Sequence, residues 1–192
     1  SVKPQIEIEQ EGLRRIELKG ATKVASVQLG YHVPSLVTAK TVEEKQEVYA
    51  LAVLSSILDG GSSSRLPVSL VRKQQIAASA GAGYNATDRL STLFELSGTP
   101  VTGHDVSVIE KALLAEIEIL KIELVSQQEL ERIWAMDEAD HVYHQDSIQA
   151  QASIMGSLVS VGLEADTLDY WIENIRKVTP LQIQAVAKKY LN

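Results

Sequence analysis

The sequence predicts an α+β domain, with a largely antiparallel sheet covered on one face by helices and a helical C-terminal part. Three observations carry this expectation. Apolar residues alternate with small or polar ones in several stretches before residue 98. From about His104 the apolar period lengthens to 3.6. Only the interval between Val33 and Ile76 is long enough for a helical crossover between strands.

The polar stretch ending in Glu9-Gln10-Glu11-Gly12 reads as an incoming linker, and Arg14 to Lys19 alternates enough to be a strand pairing with the next one. Val24 to Val33 sets Ala25, Val27, Leu29, Tyr31 and Val33 on one apolar face and stops at Pro34, which cannot donate to a ladder. Thr41-Val42-Glu43-Glu44 is a capping box, opening a helix with Val48, Leu51, Ala52, Leu54, Ser55 and Leu58 at helical spacing until Gly60-Gly61. Ser62-Ser63-Ser64 caps a shorter helix from about Arg65 to Lys73, where Pro67 is tolerated in the first turn.

Ile76 to Tyr84 and Ser91 to Ser97 form a hairpin around an Asn85 to Arg89 turn. The small residues Ala77 to Gly83 call for close approach by a helix or another backbone, packing being the commoner cause. Past His104, Val108, Ile109, Ala112, Leu113, Ile117 and Leu120 mark one face of a long helix. Ser126-Gln127-Gln128-Glu129 is a second capping box, for a helix running to about His144. Ser147 to Val161 is a further apolar helix, and Asp166 or Thr167 caps the next. Thr179-Pro180-Leu181-Gln182 opens a final helix reaching about Leu191.

A chain of 192 residues suits one domain, 1–192, with 1–12 as its linker. A hydrophobic share of 45% with only 5% aromatic residues predicts a core of Leu, Ile, Val and Ala. The net charge of -7 gives no reason to expect nucleic acid or anionic lipid as a partner, and no apolar run spans a bilayer. Without cysteine there is no disulfide, thiolate zinc site or cysteine nucleophile; cytosol and periplasm both suit such a composition. Because the sequence opens on Ser1, a fragment of a larger protein is expected.

His141 and His144 share a helix face, with Asp137 and Asp140 nearby, yet neither HxxEH nor HExxH is present. Solvated or capping histidines explain the pair, as a solvent-facing strand position explains His32 and a helix start explains His104. No metal is predicted in the chain. Gly60-Gly61-Ser62-Ser63-Ser64 follows a helix and lacks both the GxSxG and the GK[ST] order, so helix termination accounts for it better than a nucleophile or a phosphate loop. The remaining carboxylates are scattered over helix faces. No catalytic residue is assigned.

Tyr31-His32-Val33-Pro34, an apolar helix into Ser56-Ile57-Leu58-Asp59-Gly60-Gly61-Ser62-Ser63-Ser64-Arg65-Leu66, and Leu70-Val71-Arg72-Lys73-Gln74-Gln75-Ile76-Ala77 together resemble the pitrilysin and insulinase family of zinc metallopeptidases, processing peptidases included. In bacterial members the second domain of a half carries a similar strand, helix, GGxSSRL, helix and strand series. A hairpin, a turn like Gly98-Thr99-Pro100 and a helical tail follow, so the resemblance covers nearly the whole chain.

The resemblance implies a second, non-metal-binding domain of a putative bacterial zinc peptidase. An upstream domain would carry HxxEH and the zinc, while this domain supplies chamber wall, domain contacts and possible substrate contacts. It also implies a second half, in the same chain or as a homodimeric or heterodimeric partner, a peptide substrate, and no activity of this chain alone. Active members place an Arg and a Tyr seven residues apart in this domain; here Val71 and Ala78 fall at those places. Shifting by one gives Arg72 with Ser79, and Tyr84 lies further along the strand. Arg65, Arg72, Ser79 and Tyr84 are therefore the candidate substrate-contacting residues. The family's usual last strand has no counterpart before Asn192. A scaffold subunit resembling the inactive core proteins of respiratory complexes is the alternative, and an unrelated α+β binding module a third reading. A bacterial periplasmic setting is favoured over the cytoplasm.

Overall fold

The computed structural model describes residues 10–21, 24–145 and 147–192, so most of the expected 1–12 linker lies outside the described residues. Three strands form one sheet, β1 (Val27–Val33), β2 (Ala77–Tyr84) and β3 (Thr92–Pro100), in the order β1-β3-β2, with both neighbouring pairs antiparallel. Registers such as Leu29↔Leu96, Tyr31↔Phe94 and Tyr84↔Phe94 put the larger apolar side chains of all three strands on one face. Phe94 and Leu96 on the central strand are fully buried there.

The strand expected over Arg14 to Lys19 does not form. Residues 10–21 join no sheet, and Leu13, Ile16 and Leu18 are 87%, 81% and 88% exposed. Alternation supplies a face, but a strand also needs a free ladder beside it; β1 pairs with β3 instead, and Arg15 of this segment contacts Glu110.

Helix α1 (Val42–Asp59) is the centre of the fold. Thr41 caps it through a complete capping box with Glu44. Val48, Ala50, Leu51, Val53, Leu54, Ile57 and Leu58 are all fully buried, a wider set than one helical face provides. The reason is that α1 has protein on several sides: β2, and the helices α3 (Gln127–Gln145), α5 (Trp171–Arg176) and α6 (Pro180–Tyr190). Each fully buried Val, Leu or Ile side chain here contributes about 1.5–3 kcal/mol.

The segment after α1 is helical as expected over Arg65 to Lys73, but Pro67–Lys73 winds as a π-helix. Its exit bonds show the wider turn: Gln74 N–H donates to Ser69 C=O at 2.9 Å, and Gln75 adopts a left-handed φ of 54° before β2 begins.

Helix α2 (Val106–Ile122), capped by Asp105, buries Ile109, Leu113, Ile117 and Leu120 against the sheet. Val108, expected on the same face, is 37% exposed, one position off the stripe. Gly98 lets α2 approach: a Cβ there would collide with the Ile109 side chain. Ser126 and Glu129 close the second capping box at the head of α3. Ser147 caps α4 (Ile148–Val161), which ends at Gly162 in a left-handed conformation, φ 94°. The helix expected to be capped by Asp166 or Thr167 instead starts at Trp171; Thr167 spends its hydroxyl on the Glu164 carbonyl at 2.6 Å, in turns that precede α5. Thr179 and Gln182 form the capping box of α6, with Pro180 in its first turn. The architecture is thus α+β, helices on one face of an antiparallel sheet and a helical C-terminal part.

Candidate functional site

The segment Asp59 to Arg65 is held at nearly every residue. The Asp59 carboxylate accepts from the Ala82 N–H of edge strand β2 at 3.2 Å. A Cβ at Gly81 would come within 2.8 Å of that carboxylate oxygen, so the small residues of β2 admit the end of α1. Gly60 N–H closes α1 on Ser56 C=O at 2.7 Å, its own carbonyl accepts from Arg132 at 3.2 Å, and Gly61 turns at φ 99°. Ser64 is buried and donates its hydroxyl to Gly61 C=O, while Arg72 reaches back to Ser62 C=O.

Arg65 forms a two-pronged ion pair with Glu129, Nε to Oε1 at 2.7 Å and Nη2 to Oε2 at 3.1 Å. Glu129 also accepts from Ser126 N–H at 2.9 Å. Burial would raise its carboxyl, but the hydrogen bonds from Arg65 and Ser126 outweigh that and hold it at about 2. Arg65 is therefore engaged in joining the loop to α3.

The four candidate contact residues do not share one surface. Ser79 is exposed on β2 opposite Thr99, just after a register shift. Tyr84, five residues on, projects to the other face of the sheet. There it stacks on Phe94 with centroids 6.2 Å apart and donates its hydroxyl to Pro34 C=O at 2.6 Å. Burial raises the Tyr84 phenol above its ordinary range, with Tyr190 and Asp88 adding to the shift. Arg72 bonds the Ser62 carbonyl and is itself exposed on the π-helix. Arg72 and Ser79 are the two candidates on exposed positions; Arg65 and Tyr84 have interior partners.

Among the described residues, no helix covers the sheet face opposite Phe94 and Leu96. Gln28, Gly30 and His32 from β1, Ser97 from β3 and Ser79 and Gly83 from β2 are exposed on it. Nothing in the sequence alone showed that this face stays bare while the opposite one is covered, because alternation gives two faces without saying which neighbours arrive.

Of the histidines, His32 is exposed on β1 and His104 precedes α2, its N–H bonded to Val101 C=O at 3.1 Å. His141 lines a cavity with Asp137 and Asp140; the side chain of His144 lies outside the described residues. Among the described residues no group of three or more His, Cys, Asp or Glu is placed to hold a metal ion. The described residues therefore do not fit a zinc site of the peptidase kind, and no chemical step is assigned to them. No helix among the described residues is long and apolar enough to cross a membrane.

Solved structures share this fold. A protease from Helicobacter pylori matches at 24% identity and TM-score 0.79, over 91% of this chain and 40% of that one. The inactive peptidase domain assigned to a zinc protease of Bordetella parapertussis matches at 20% identity and TM-score 0.74, over 91% of this chain and 88% of that one. A chain of Complex III2 from Candida albicans matches at 14% identity and TM-score 0.70, over 90% of this chain and 41% of that one. The present chain thus spans 40% of the length of the Helicobacter protease. No curated protein matches it. Residues 1–136, which include the clamped loop from Asp59 to Arg65 and the whole sheet, match the family described as the peptidase M16 inactive domain. The chain belongs to the peptidase M16 inactive domain family.

Proposed function

We propose that this domain is the non-catalytic partner of a zinc-binding peptidase domain, and that it encloses peptide substrate with its open sheet face. The observation that carries this reading is that bare face: a surface of mostly small and polar residues around the exposed Leu93, backed by a helix layer, suits a wall against which an extended peptide lies. Zinc and the water it activates would reside in the partner domain with HxxEH, since no metal-holding group is found among the described residues of this chain. Arg72 and Ser79 are the candidates exposed for contact with substrate; Arg65 and Tyr84 act through the shape of the loop and sheet.

The exposed Leu13, Ile16 and Leu18 support a role in domain contacts, because three large apolar side chains in one short segment are usually covered by a neighbour. A second half, in the same chain or in another, completes the enclosure, and a bacterial periplasmic setting remains our preference. The scaffold reading draws support from the fold shared with the Complex III2 chain.

Metal analysis and peptide hydrolysis on the full-length protein separate the two. The peptidase reading expects bound zinc, hydrolysis lost with a chelator, and loss of hydrolysis when this domain is deleted. The scaffold reading expects neither zinc nor hydrolysis.

A further inference from the structure

A cavity of about 710 Å³ opens on the helix-covered side, between the hairpin turn at Asn85, α1, α3, α4 and α5. Its size falls within the range of about 300–1,000 Å³ usual for small-molecule sites. Most of its lining residues lie beyond residue 136, in the part of the chain outside the family match. It is separate from the open sheet face, so it does not rest on the peptidase reading.

The walls differ in character. Ile154, Leu168, Trp171 and Ile172 give an apolar side. Opposite in sign to any cation, Asp137 and Asp140 from α3 and Asp169 from the turn before α5 also line it. Among the described lining residues there is no Lys or Arg to neutralise them. Among the described residues no ion pair engages Asp137 or Asp140, whereas Glu138 between them pairs with Arg176 at 2.7 Å.

We infer that this cavity binds a small organic cation, an ammonium or amidinium group carried on an apolar body, with the charge at Asp137 and Asp140 and the body against Trp171 and Ile172. Two carboxylates at the lip favour positive charge, and a partly desolvated ring accepts both apolar contact and a cation. The electrostatics of the two carboxylates agree with this placement. Burial, and then the charge of Asp140, raise the Asp137 carboxyl to about 6. A bound cation would relieve that repulsion and favour the ionised form.

The groups facing Asp137 across the cavity are Asp140 and His141 on its own helix, Asp169 before α5 and Tyr84 on β2. Binding should therefore strengthen as pH rises through about 6, because Asp137 ionises over that range.

Calorimetric titration of the chain at pH 7 with 2-phenylethylammonium, 2-phenylethanol and 3-phenylpropanoate tests this, with helix content followed by circular dichroism. The expected result is saturable binding of the ammonium, tighter than the alcohol by about tenfold or more, and no binding of the carboxylate. Asp137→Asn with Asp140→Asn should abolish that preference and flatten its pH dependence while helix content is unchanged. Met155→Trp, which places bulk at the cavity rim, should weaken ammonium and alcohol alike. A capped peptide carrying the same charge on a lysine side chain identifies the source: weaker binding than the free amine supports a small molecule, and tighter binding overturns that assignment. Equal binding of ammonium and alcohol, no binding of either, or an ammonium preference that survives the double substitution would overturn the inference.

Discussion

Arg65 and Glu129 join the glycine loop after α1 to the first turn of α3 through two parallel bonds, at 2.7 and 3.1 Å. With side-chain exposures of 20% and 25%, the pair is screened less than a surface ion pair, and Glu129 also serves the α3 capping box. Removing Arg65 leaves a half-buried carboxylate without its main partner. Arg65→Ala should cost about 2 kcal/mol of stability, read by urea unfolding. Arg65→Lys, which cannot supply the fork, should recover only part of that. A cost within error of zero would show that the pair contributes nothing net.

The same pair makes an acid limb. Because the Glu129 carboxyl is held at about 2 when folded, against an ordinary value of 4.5, its contribution is full above about 4.5 and is lost as pH falls toward 2. Melting temperature followed from pH 6 to pH 2.5 should drop more steeply in the parent than in Glu129→Gln. Parallel curves would contradict the assignment.

Asp137 has the opposite sign. Its carboxyl is raised when folded, so the destabilisation it causes is absent below about 3.8, grows as pH rises, and is complete above about 6. Asp137→Asn should therefore raise the melting temperature at pH 7 and leave it nearly unchanged at pH 3.5. Thermal melts at the two pH values check this, and an equal effect at both would contradict it.

Close packing of α2 on the central strand gives a steric prediction. Gly98→Ala would drive a methyl group into Ile109 and bring it to 3.6 Å from Leu113. A cost of about 1–3 kcal/mol is expected from overpacking. Gly98→Ala combined with Ile109→Leu, which lacks the colliding Cγ2 methyl, should recover part of it if the collision is the cause, a coupling that a double-mutant cycle measures directly.

The elements most legible in the sequence are those whose signals are local. Thr41 with Glu44, Ser126 with Glu129 and Thr179 with Gln182 are capping boxes in the structure as well, because the bonds that make them span only three residues. The hairpin and the apolar face of β1 were legible for the same reason. What the sequence did not show depends on neighbours distant along the chain. Arg14 to Lys19 alternates but finds no ladder, and Pro67 to Lys73 widens into a π-helix between the clamped loop and β2. The pairing of Arg65 with Glu129, 64 residues away, was likewise out of view. The cavity beside Asp137 and His141 was equally hidden, since spacing on α3 says nothing of the apolar wall that α4 and α5 set opposite.

The deciding measurement is peptide hydrolysis by the isolated chain. No cleavage of an unfolded polypeptide or a fluorogenic peptide is expected, with or without added zinc, from protein freed of contaminating protease. Cleavage that copurifies with the folded chain and disappears with a metal chelator would contradict that expectation.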